Sequence, residues 1–209
     1  MTNNNDPDVR ALVFDLGNVL VEIDFSRVLS VWAGYAGLEP EELSPRFTLH
    51  NKYHERFERG EISSLAFFKG MREELRIDLT DEQFLEGWNS VFVGEVEGIY
   101  DVVTYASKKY PLYVFSNTNE PHQIIWRGLC PELLSKFQKI FVSCELGLRK
   151  PEEEAFYAVA NRIGKPIQQI LFFDDSPENL DTASQLGMQV VEVKSFQDVK
   201  ERLESLRCI

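Results

Sequence analysis

The stretch ALVFDLGN, residues 11–18, decides the fold. Its first part is short, continuously apolar and ends on an acid, Asp15. A strand buried on both faces reads this way, as strands of a parallel sheet do. The same shape recurs downstream. LYVFS at 112–116, IFVS at 140–143, ILFFD at 170–174 and QVVEV at 189–193 are all compact apolar runs.

Helical patterns separate the later runs. Val96, Ile99, Val103 and Ala106 share one helical face, as do Phe156, Val159, Ala160 and Ile163. The second of these helices is expected to open at Pro151, with Glu152, Glu153 and Glu154 in its first turn. Another is expected from Asn179 to Leu186, stopped by Gly187. Alternating strands and helices imply an α/β chain with a doubly wound parallel sheet, a Rossmann-like core.

One connection is far too long for that rhythm. Nearly a hundred residues separate Asp15 from Leu112, with no convincing strand among them, whereas a parallel crossover needs about a dozen or more. The excess reads as helical. Thr80 and Gln83 form a capping box ahead of Phe84, Leu85, Trp88, Val91 and Phe92. Leu65, Phe68, Met71 and Leu75 make a second stripe. Residues 24–92 are therefore expected to be a small inserted helical cap domain, with residues 1–23 and 93–209 forming the core.

The chain has 209 residues, 44% of them hydrophobic, and a formal net charge of −12. That length can bury a full core plus an insertion. Its acidity argues against nucleic acid and anionic membranes as general partners. Three cysteines, Cys130, Cys144 and Cys208, show no CxxC spacing, which fits a reducing compartment rather than a disulfide framework or a zinc site. The start is polar, and no apolar run approaches the roughly 20 residues that cross a bilayer. A soluble cytoplasmic protein, monomeric or homodimeric, is expected.

Open parallel sheets bind ligands at the carboxyl ends of their strands. The residues there are Asp15 and Gly17 after the first strand, Ser116 and Asn117 after the second, and Asp174 and Asp175 after the fourth. Arg149 and Lys150 lie just ahead of Pro151. Three carboxylates, a hydroxyl and an ammonium would thus converge on one rim. Carboxylates packed together repel one another unless a cation lies among them. An all-oxygen set of this kind suits Mg²⁺, with phosphate supplying further oxygens. Asp174 and Asp175 would point to opposite faces of an ideal strand, so one of the two is expected to reach the metal. A strand-end Asp by itself more often caps a turn; the convergence is what makes these residues a candidate site.

Taken together, FDLGNVL, FSNTN, GLRKP and FFDDSPEN resemble the four motifs of the haloacid dehalogenase superfamily, in order and spacing. The resemblance implies an Mg²⁺-dependent phosphatase acting on a small phosphorylated metabolite through an aspartyl-phosphate. It implies Asp15 as nucleophile, with Ser116, Asn117 and Lys150 on the phosphoryl group. It also implies Asp15, the Gly17 carbonyl and Asp175 as metal ligands, supported by Asp174 and Asn179. Gly17 departs from the usual phosphatase pattern, which carries a second Asp there as general acid. A narrower resemblance, through DLGNVLVEIDFSRVL and HERFERGEIS, is to the bacterial α-D-glucose-1-phosphate phosphatase group, which carries the same glycine. A sugar phosphate such as α-D-glucose 1-phosphate is then the expected substrate. His122 is an alternative proton donor, and one or two of the charged residues between His54 and Glu61 are candidates for reading the sugar. A 2-haloacid dehalogenase and a weakly active phosphate-binding regulator are the rival readings.

Overall fold

The computed structural model describes residues 8–208. Five strands form a parallel sheet: β1 (Ala11–Phe14), β4 (Leu112–Ser116), β5 (Lys139–Val142), β6 (Ile170–Asp174) and β7 (Gln189–Glu192). Their order is β5-β4-β1-β6-β7, so β1 lies at the centre. The continuous apolar runs follow from burial on both faces. Leu12 and Phe14 of β1, with Leu171 and Phe173 of β6, point to one face. Ala11 and Val13, with Ile170 and Phe172, point to the other. Phe14 and Phe173 stack with ring centroids 4.4 Å apart across the β1–β6 ladder.

Helices cover both faces. On the first lie α6 (Ile99–Ala106), α7 (Glu120–Leu129), α8 (Pro131–Leu134) and α12 (Phe196–Ser205). The second is covered by α10 (Glu153–Ile163) and α11 (Pro177–Gln185). A four-residue turn of helix, α9 (Ser143–Leu146), follows β5 directly. Helix α10 starts two residues later than Pro151 suggests. Glu152 caps it in extended conformation, with its carboxylate accepting from the Arg149 N–H at 3.1 Å.

The long connection contains α1 (Phe25–Ala36), α2 (Pro40–Leu43), α3 (Lys52–Glu58), α4 (Ser64–Leu75) and α5 (Asp81–Asn89). These helices share a core of their own, built around Trp32, Phe67, Phe84 and Trp88. Thr80 and Gln83 form the anticipated reciprocal cap of α5. Two expectations need correcting. Leu65 is exposed on α4, and Phe67 takes the buried place instead. The connection also contains strands: β2 (Val21–Ile23) pairs antiparallel with β3 (Phe92–Glu95). This ribbon is too short to show a period, and its residues are unevenly buried. Its strands flank the helical segment and set both chain crossings side by side. Among the described residues no helix is long and apolar enough to cross a membrane.

Candidate active site

The three middle strands end at one place. Asp15 directly follows β1, Ser116 ends β4 and Asp174 ends β6. The Asp15 N–H donates to Phe173 O at 2.8 Å, which carries the β1–β6 ladder up to the carboxylates. Lys150 arrives from the loop before α10 and joins two of them. Its Nζ donates to Asp15 Oδ1 and to Asp174 Oδ2, both at 2.6 Å. The lysine is 1% exposed, and its ammonium lies 5.3 Å from the ring centroids of both Phe115 and Phe172. Burial alone would lower its pKa; the two carboxylates outweigh burial and hold it above the usual value. It is therefore a fixed positive charge.

Asp174 is fully buried, and its other oxygen accepts from Ser176 N–H at 2.8 Å and Asn179 Nδ2 at 2.9 Å. Asn117 turns its side chain to the Lys150 backbone, donating to Lys150 O and accepting from Lys150 N–H, each at 2.8 Å. It therefore positions the lysine. Ser116 is buried beside it, with Oγ directed 3.3 Å to Asn117 O. The following turn is pinned by Ser143 Oγ, which accepts from Thr118 N–H and donates to Thr118 O.

Asp175 lies more openly, and its Oδ2 accepts from Asn18 Nδ2 at 2.9 Å. One oxygen from each of Asp15, Asp174 and Asp175 falls within 4.8 Å of the others. Burial pushes the Asp15 carboxyl up to about 7, against the pull of Lys150; Asp174 and Asp175 add to the rise. Three carboxylates face one ammonium, an excess of two negative charges that a divalent cation would balance. The donors are all oxygen, as Mg²⁺ requires. Asp174 has both oxygens engaged, so Asp15 and Asp175 are the carboxylates open to an ion.

A cavity of about 170 Å³ meets these groups at Gly17, Ser116 and Asn117. Its far wall comes from the helical segment, with His54, Glu58 and Leu49, and from Val91 and Phe92 at the start of β3. Of the charged residues between His54 and Glu61, only His54 and Glu58 line it. Arg59 instead reaches Glu152, Nε to Oε1 at 2.6 Å, and Arg56 pairs with Glu61 in solvent. His122 also borders the cavity but is stacked 4.5 Å from Trp88, with Nε2 3.0 Å from Trp88 O. Burial pushes its pKa down to about 3, so it is a neutral packing residue and a poor proton donor. A wider hollow of about 700 Å³ lies beside Arg10, Lys109 and Arg207. It is at the opposite ends of β1 and β4, remote from this chemistry.

A model of the haloacid dehalogenase-like hydrolases matches residues 9–187. The chain belongs to that family. Among its haloacid dehalogenase-like relatives is the D-ribitol-5-phosphate phosphatase of Bacteroides thetaiotaomicron, 26% identical over 93% of this chain and 97% of the relative. A crystal structure of a family enzyme from Bacteroides thetaiotaomicron, in complex with magnesium and inorganic phosphate, is 28% identical. It superposes with a TM-score of 0.76 over 90% of this chain and 95% of that one. A dehalogenase structure with an intermediate complex is 16% identical, with a TM-score of 0.67 over 90% and 85% of the two chains, and shares the fold alone. The expectations of family, α/β fold, phosphoric monoester hydrolysis and magnesium dependence agree with these relatives. Within the family frame, position 17 stands out. A Cβ on Gly17 would lie 2.9 Å from Ile23 Cδ1, so β2 fills the space beyond the glycine.

Asn18, His54 and Glu58 are the residues whose place the sequence showed least. Asn18 lay inside the first motif without an assigned role. In the sequence His54 and Glu58 are only members of the charged stretch from His54 to Glu61, without being singled out from it.

Proposed function

We propose that this phosphoric monoester hydrolase acts on a small phosphorylated sugar or sugar alcohol through an aspartyl-phosphate on Asp15. The observation that carries the reading is the Lys150 bridge between Asp15 and Asp174, beside the Gly17, Ser116 and Asn117 end of the cavity. Lys150 fixes Asp15 Oδ1 and keeps a positive charge where phosphoryl oxygens would lie. An Asp15 oxygen attacks phosphorus, forming an O–P bond as the ester P–O bond breaks. Position 17 offers no acid, so the leaving oxygen takes its proton from water or from a hydroxyl of the substrate. Water then attacks phosphorus, inorganic phosphate departs, and the Asp15 carboxylate is regenerated. Ser116 receives a phosphoryl oxygen, while Asn117 and Asn179 hold Lys150 and Asp174 in place. Asp15, Asp175 and the Gly17 carbonyl would hold Mg²⁺, whose charge would neutralise the phosphoryl oxygens.

Residues 24–92 serve as a cap that excludes water during attack. Two substrates deserve first trial. The glycine at position 17 favours α-D-glucose 1-phosphate, whose hemiacetal oxygen leaves more readily than an ordinary alkoxide. The Bacteroides relative favours D-ribitol 5-phosphate.

The test is phosphate release from these two esters and from glucose 6-phosphate, with Mg²⁺ and with chelator. Turnover is expected on at least one, should vanish with chelator, and should fall by at least about 10³-fold in Asp15→Asn. Full activity in that variant would sink the mechanism. Halide release from a 2-haloacid in place of phosphate release would select dehalogenation instead.

A further inference from the structure

The cavity that reaches Gly17, Ser116 and Asn117 is also lined by His54 and Glu58, whose lone pairs can accept from a ligand. His54 and Glu58 lie one turn apart on α3, each 6% exposed. His54 Nδ1 is 3.0 Å from Leu49 O. A carbonyl only accepts, so Nδ1 carries the proton and Nε2 of the neutral ring is an acceptor. Burial holds the His54 pKa below its usual value, against the pull of Glu58, which keeps the ring neutral. Glu58 Oε2 accepts from Arg149 Nε at 2.8 Å. Its Oε1 lies 3.7 Å from His54 Nε2, beyond hydrogen-bond reach. Two acceptors cannot satisfy each other, and both residues line the cavity. Acceptors on a cavity wall can take donors from a ligand.

We propose that His54 Nε2 and Glu58 Oε1 form a paired-acceptor station that receives two adjacent hydroxyls of the substrate and so selects vicinal diols. The station deepens the reading of the site as a sugar or sugar-alcohol phosphatase and rests on it. Its chemistry fits a neutral polyol well. Each hydroxyl brings one donor, and the carboxylate repels a second acidic group on the substrate. Phe25, Leu49, Val91 and Phe92 supply apolar wall for the carbon chain. The position of the station is fixed against the reacting end. Arg149, which holds Glu58, is joined by one peptide bond to Lys150, which holds Asp15. The distance between diol and phosphate is therefore built into the fold.

The experiment compares D-ribitol 5-phosphate with 5-hydroxypentyl phosphate, which has the same chain length and no vicinal pair. It uses the Mg²⁺-loaded full chain and the variants Glu58→Gln and His54→Phe. Glu58→Gln preserves size, and His54→Phe preserves the aromatic contacts with Trp88 and Phe67; thermal melts verify that both fold. The wild type is expected to prefer the diol ester at least tenfold in kcat/KM. Each variant should cut that preference at least tenfold, mainly through KM. Equal losses on both esters would mark a merely structural role and overturn the station, as would an unchanged preference in both variants. A wild type that hydrolyses both esters equally overturns the station and leaves the phosphatase reading standing. A wild type inactive on every phosphate ester overturns both.

Discussion

Asn18 shows how much a single residue of the site can carry. Its backbone is in the left-handed region, with φ of 54°, and its N–H donates to Val21 O at 2.8 Å, closing the turn between β1 and β2. Asparagine tolerates that conformation better than other residues with a side chain, glycine excepted. The side chain also donates to Asp175 at 2.9 Å, and so holds one of the two open carboxylates. Backbone and tether can be separated by substitution. Asn18→Gly keeps the turn and loses the tether, and Asn18→Ala loses both. Mg²⁺ affinity measured by calorimetry should drop about 10–100-fold in each, as for other residues that orient metal ligands. Only the alanine variant should lose a further ~1 kcal/mol in thermal melts, from strain in the turn. Unchanged Mg²⁺ affinity in both would show that Asp175 orients itself without Asn18.

At the scale of elements, the contact between α5 and α7 links the helical segment to the sheet through one buried imidazole. His122 stacks on Trp88, and Asn119 accepts from Trp88 Nε1 at 3.3 Å. Burial pushes the His122 pKa to about 3, from an ordinary value of 6.5. Folding therefore favours the neutral ring, and the unfolded chain binds the extra proton. The stabilisation is complete above pH 6.5 and is lost as pH falls toward 3, by roughly 1.4 kcal/mol per pH unit, or about 2 kcal/mol at pH 5. Denaturant unfolding at pH 7 and pH 5 should show a shallower acid loss in His122→Gln than in the wild type by that amount. Equal slopes would mean that the contact opens before the chain unfolds. This dock was invisible in the sequence, because it joins residues 34 positions apart through geometry alone. The sheet strands were legible for the opposite reason. Burial on both faces forces continuous apolar runs such as ILFFD, and the acids ending them could be read directly. The β2–β3 ribbon, only three and four residues long, left no such run. Lys150 and Asp174 were legible as members of a rim; their 2.6 Å bond, and the place of His54 and Glu58 on the cavity wall, depend on where loop and helix meet.

Across the whole molecule two fields of opposite sign act on an incoming phosphate. The chain carries a formal net charge of −12, so its surface repels a phosphate dianion at long range. At the proposed site Lys150, together with a bound Mg²⁺, would attract the same group at short range. Salt separates the two because it acts by distance. The screening length is about 30 Å at 0.01 M and about 8 Å at 0.15 M. Raising monovalent salt across that interval should remove most of the surface repulsion. It should leave the interaction at Lys150, which is 1% exposed, nearly intact. Measured at saturating Mg²⁺, kcat/KM should therefore rise about 2–5-fold with salt. In the proposed mechanism the chemical step takes place beneath the helical segment, which is tied to the Lys150 loop by Glu58–Arg149 and by Arg59–Glu152. A cap closed over the site would exclude solvent ions, so kcat should stay flat. A kcat/KM that falls with salt would mean that the positive field of the site reaches beyond the cavity mouth and steers the substrate inward despite the acidic surface.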